Sequence, residues 1–233
     1  MKQTRLYAVA ALATLALAAA GLLAAQAPTN EERIAALKQS LATGSTLIKQ
    51  YEWVETTVMS MKGEEKSNTQ NRCYYGADGK VQKTALSAPA EPAKKQRGLK
   101  GKIIANKTED ISEYMKAAVG LVKSYVPPDP AKIQAAKDAE KVAVTPAGSV
   151  VKIDIRDYEK PGDVLGIELD MAKNTLLGLS VASWLKDAKD TVGLKVAFAT
   201  LPDGAFYASQ ITLSAPTQKI EIKITNSGYK KLS

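Results

Sequence analysis

From about Ser149 onward, apolar and polar residues alternate with a period of two. Val151, Ile153 and Ile155 alternate with Lys152, Asp154 and Arg156, and Ile220, Ile222 and Ile224 alternate with Lys219, Glu221 and Lys223. Successive side chains of a strand point to opposite faces, so each such segment has one dry face and one wet face. The pattern predicts six consecutive strands, at 149–158, 163–171, 175–185, 191–200, 205–214 and 218–226. Between them, Pro161-Gly162, Asn174 and Asp203-Gly204 supply residues that accept a positive φ. Connections this short between sequential strands dictate an antiparallel meander. A sheet with one greasy side has to cover it, with helices of its own or with a ligand.

Upstream the period changes. Thr29 and Glu32 form a capping box for a helix over about 30–50, with Ile34, Leu37, Leu41 and Ile48 on one stripe and Gly44 as a weak point. A strand is predicted at 51–61, with Val54 and Val58 facing away from Trp53, Thr57 and Met59. A polar strand at 67–75 and a third at 80–87 are joined by the hairpin signal Gly76-Ala77-Asp78-Gly79. Residues 89–106 read as a basic loop with a short strand at 102–105. It carries Lys94, Lys95, Arg97, Lys100 and Lys102 with no acid among them. A helical insertion follows at 107–141. Its first helix, 108–126, is capped by Asn106 and Glu109, carries Ile111, Met115, Ala118, Val119 and Val122 at helical spacing, and stops at Pro127-Pro128. Asp129-Pro130 opens a second, short helix to about Lys141. The expected fold class is α+β, an antiparallel meander of about nine or more strands with helices against its apolar face.

The N-terminal residues read as an export signal over 1–27. Lys2 and Arg5 precede the weakly hydrophobic run Tyr7 to Ala25, and Ala25-Gln26-Ala27 offers a small-x-small cleavage site. Residues 28–233 are then expected to form one domain in the periplasm or outside the cell. The formal net charge of +8 becomes +6 without Lys2 and Arg5. In an exported chain such a balance favours anionic membrane or envelope surfaces. Lys94, Lys95, Arg97, Lys100 and Lys102 are the candidate contacts. Nucleic acid is not expected, because no aromatic residues are interleaved with those cations.

The chain contains no histidine and a single cysteine, Cys73. That removes histidine-based nucleophilic machinery, the usual zinc and iron ligand sets, thiolate clusters and internal disulfides. Gly98-Leu99-Lys100-Gly101 lacks the spacing of a phosphate-binding loop. Cys73 reads as a small, semi-buried strand residue. Asp154, Asp157, Glu159 and Asp163 lie along one hairpin. A carboxylate hydrolase would need two of them converging at about 5–10 Å, whereas wet-face and turn positions explain them without catalysis. No enzyme, metal or cofactor is expected.

The order of elements, with the hairpin Leu201-Pro202-Asp203-Gly204-Ala205-Phe206-Tyr207 followed by strands over Gln210–Ser214 and Lys219–Asn226, resembles the periplasmic lipoprotein-carrier (LolA-like) superfamily. The resemblance implies a strongly curved sheet, a half-barrel, with helices across its concave apolar face and acyl chains held between them. It implies a lipid or lipidated protein as partner. Candidate lining residues are Ile111, Met115 and Val119 on the helix and Ile167, Leu179, Val196 and Ile211 on the strands. The alternative is an envelope interaction or regulatory module with the same fold and a filled core.

Overall fold

The computed structural model describes residues 30–86 and 99–232, with side chains described for 36, 37, 39–86 and 109–232. Helix α1 (Asn30–Leu47) runs through a 3-10 turn (Ile48–Gln50) into β1 (Tyr51–Met61), β2 (Glu64–Tyr75) and β3 (Val81–Ala85). Helices α2 (Leu99–Lys123) and α3 (Pro130–Asp138) precede β4 (Val142–Ala147), β5 (Val150–Arg156), β6 (Val164–Asp170), β7 (Thr175–Trp184), β8 (Thr191–Thr200), β9 (Phe206–Ala215) and β10 (Ile220–Lys231). The strands form one antiparallel sheet in the order β3-β2-β1-β10-β9-β8-β7-β6-β5-β4. It is open, with β3 and β4 as its two edges.

Local chemistry explains most element boundaries. The Gly76–Gly79 turn closes with Gly76 N–H donating to Lys80 O at 2.9 Å. Gly162 and Asn174 sit at φ +85° and +50°, and Gly204 at +91°. The Asp129 carboxylate accepts from Ala131 N–H, and Pro130 occupies the first helical position of α3.

Two expectations change. Residues 99–106 are not loop, nor is there a strand at 102–105, because α2 begins at Leu99. Asn106 is therefore inside the helix rather than its cap, and Lys100 and Lys102 lie on its first turns. Lys94, Lys95 and Arg97, like residues 1–27 and Thr29, fall outside the described residues. An additional strand, β4, pairs with β5. It holds Pro146, which an edge strand tolerates because no ladder donor is required on its outer side. An irregularity between Glu168 and Leu169 aligns Leu176 with Leu169, which places Leu176 on the dry face.

The core lies between the helices and one face of the sheet. Leu37 and Leu41 of α1, Ala118 and Val122 of α2, and Ile133 and Ala136 of α3 share one buried cluster with Val151, Ile153, Ile155, Leu165, Ile167 and Leu169. Ile153, Ile155, Leu165 and Ile167 have no exposed surface. At roughly 1.5–3 kcal/mol for each such side chain, these strands are the most firmly buried part of the molecule.

Tyrosine hydroxyls tie α2 to the strand ends. Tyr125, just past its last turn, bonds Asp163 and also Ser183 (2.8 Å), and Tyr114 donates to Asp190 at 2.7 Å. Eleven residues of helix span about 16 Å, so α2 crosses the end of the sheet where β5 joins β6 and β7 joins β8. At the opposite end α1 meets β9. A Cβ on Gly44 would fall 2.6 Å from Phe206 Cβ and 2.8 Å from Gly204 O, so only glycine fits there.

Candidate functional site

The dry face of the sheet is organised in cross-strand ladders. One runs Val144–Ile153–Ile167–Leu179–Val196–Ile211–Ile224–Thr57–Thr69, across nine strands. A second runs Val142–Ile155–Leu165–Val181–Leu194–Leu213–Ile222–Met59–Ser67. Burial changes along both. Ile153 and Ile167 are fully buried and Leu179 is 5% exposed. Val196, Ile211, Ile224 and Thr57, and in the second ladder Ile222 and Met59, are only half-buried. The first ladder is therefore closed over β5–β7 and partly open from β8 to β1, whereas the second stays buried through Leu194 and Leu213 and opens only at Ile222 and Met59.

Six of the seven expected lining residues meet here. Ile167 and Leu179 belong to the buried cluster, and Met115, Val119, Val196 and Ile211 pack against it half-buried. Ile111, one turn before Met115, is half-buried on α2. Met59, Ile222 and Ile224 also line the partly open region. Sequence reasoning placed them on dry faces but had no means of knowing that β1 pairs with β10.

Along β1 the face changes character. Met61 and Met59 give way to Thr57 and then to Glu55, which is 9% exposed. Glu55 faces Asn226 on β10 and Asn71 on β2. Lys83 of the edge strand donates to both Glu55 oxygens, at 2.6 and 2.7 Å. Beyond them Trp53 stacks on Tyr229 with ring centroids 5.8 Å apart, contacts Tyr75 at 5.5 Å, and donates its indole N–H to Asn226 at 3.1 Å. Burial, and secondarily the Glu55 charge, push the Cys73 thiol above its ordinary range, so this buried residue is a weak nucleophile. Burial likewise raises the Tyr229 hydroxyl.

The four acids of the β5–β6 hairpin each have partners of their own. Asp154 pairs with Lys152 at 3.1 Å, Asp157 with Lys141 at 3.2 Å, and Glu159 with Lys132. The Gly162 N–H and then Lys141 hold the Asp157 carboxyl below its usual range. Asp163 is fully buried and accepts from the Tyr125 hydroxyl and from the N–H groups of Tyr158, Glu159 and Lys160. Among the described residues, no three Cys, Asp or Glu side chains group to hold a metal ion. On the opposite, wet face, Ala182, Gly193 and Ser214 floor an open cleft of about 360 Å³ beside Trp184. The Lys160 ammonium lies 3.7 Å from the Trp184 ring centroid, at the strand end rather than within the sheet.

No protein-family model matches the chain, and no curated protein matches it. Among solved structures the chain is similar to a DUF1329 family protein from Desulfovibrio piger. The identity is 10%, over 84% of this chain and 92% of that one, with a TM-score of 0.35. A likeness that remote carries no argument about function.

Proposed function

We propose that the protein is a non-enzymatic binding protein, exported to the periplasm or secreted, that shelters the acyl part of a lipid or lipidated client between its sheet and its helices. In this reading the sheet is a half-barrel wall, and the acyl chain lies on Val196, Ile211, Ile222, Ile224 and Met59 beneath α2. The observation that supports it is the continuity of the apolar ladders from buried positions on β5–β7 into half-buried ones, at Val196, Ile211 and Ile224 in the first ladder and at Ile222 and Met59 in the second. Each methylene buried there contributes about 0.8 kcal/mol, offset partly by ordering of the chain. Lys2, Arg5 and the apolar run to Ala25 support export, and Lys94, Lys95, Arg97, Lys100 and Lys102 are the proposed contacts to an anionic membrane surface.

The fully buried Ile153, Ile155, Leu165 and Ile167 favour a second reading, an envelope interaction module whose core is filled throughout. The two separate on titration with a fluorescent, uncharged-headed acyl alcohol. Saturable binding is expected, weakened at least tenfold by Ile224→Lys and by Met59→Lys. Absence of binding to the wild-type protein contradicts the carrier reading and leaves the interaction module.

A further inference from the structure

We infer that the amphiphile held on this face is a zwitterionic phospholipid, double- or single-chained, whose head group sits at the Glu55–Lys83 ion pair; the inference rests on the acyl-binding reading above. From Met61 to Glu55 the strand spans about 20 Å, enough for the acyl chain of one leaflet, about 15 Å. The aliphatic surface ends where that chain ends, at Thr57 and Glu55.

Packing alone gives no reason for the charges. Replacing a buried ion pair with apolar groups of like volume is commonly neutral or stabilising, yet a carboxylate 9% exposed is kept at the polar end of a strand face that begins with Met61 and Met59. Its partner is placed for contact. The Lys83 side chain is 48% exposed, and an ammonium has three donors. Two of them reach the Glu55 oxygens, leaving one for a phosphate oxygen. The Glu55 carboxylate retains lone pairs for an ammonium. The half-buried Asn71, directly across from Glu55, adds a neutral donor and acceptor. A purely anionic head meets the Glu55 charge, and a head without charge satisfies neither group. A phosphoethanolamine-type head satisfies both.

The experiment is displacement of the uncharged-headed fluorophore by lysophosphatidylethanolamine, lysophosphatidylglycerol and monoacylglycerol of one chain length. For the wild-type protein, the zwitterionic competitor is expected to act at a concentration at least tenfold lower than either of the others. Lys83→Met and Glu55→Gln are expected to abolish that preference while leaving fluorophore affinity within twofold, and Lys83→Arg to keep it. Lys83 lies on an exposed edge strand, so its variants report even where Glu55→Gln disturbs folding. Equal displacement by all three lipids, or preference for the anionic one, overturns the inference and leaves the acyl-binding reading standing. Failure of the fluorophore itself to bind overturns both.

Discussion

At the scale of single residues, Asp163 has the most consequential environment. One buried carboxylate satisfies a tyrosine hydroxyl and three backbone donors, so it holds the β5–β6 turn and the end of α2 together. Asp163→Ala leaves those donors without their acceptor, at about 1–3 kcal/mol for each that water does not reach. Urea denaturation is expected to show a loss of at least about 3 kcal/mol. The tyrosines set a response to alkali. Burial, with the neighbouring aspartates, pushes the Tyr114 and Tyr125 hydroxyls above the ordinary tyrosine range. In the unfolded chain they ionise near pH 10. Their contribution to stability is therefore complete below about pH 10 and declines as pH rises toward the folded-state values. The urea midpoint is expected to fall between pH 9 and pH 11, and to fall less in a Tyr114→Phe/Tyr125→Phe protein. An equal fall in both would remove the tyrosines as its source.

At the scale of elements, two helical glycines separate propensity from packing. Alanine favours a helix interior over glycine by about 1 kcal/mol. Nothing lies within 4 Å of a Cβ placed on Gly120, so Gly120→Ala is expected to raise stability by up to about 1 kcal/mol. At Gly44 the added carbon meets Phe206 Cβ and the Gly204 carbonyl. Overpacking of about 1–3 kcal/mol outweighs propensity, and Gly44→Ala is expected to lower the melting temperature. Elements with a strict period or defined turn chemistry were legible in the sequence. Strand β1 appears at Tyr51–Met61 as its β-branched and aromatic content predicts, and α3 starts at the Asp129 cap. Strand β4 was not legible, because Val142 and Val144 give only two dry positions before Pro146. The start of α2 was hidden by Gly98, Gly101 and the surrounding lysines, whose composition resembles that of a loop.

At the scale of the whole molecule, the decisive contact is the pairing of β1 with β10, elements at opposite ends of the described chain. No local period encodes it. It sets Met59 beside Ile222 and Thr57 beside Ile224, extends the dry face past the part the buried cluster fills, and brings Glu55 opposite Asn226. The apolar ladders over β5–β9 could be anticipated strand by strand from alternation. The polar end of the inner face could not, because Glu55 and Lys83 are 28 residues apart and meet only across the β1–β2–β3 register. Native mass spectrometry of the protein, purified without detergent, tests the binding of lipid most directly. A bound species heavier than the polypeptide by the mass of one lipid is expected, and is expected to be lost on Ile224→Lys. A wild-type protein that carries no lipid, and takes up none when mixed with phospholipid vesicles, would contradict the acyl-binding reading.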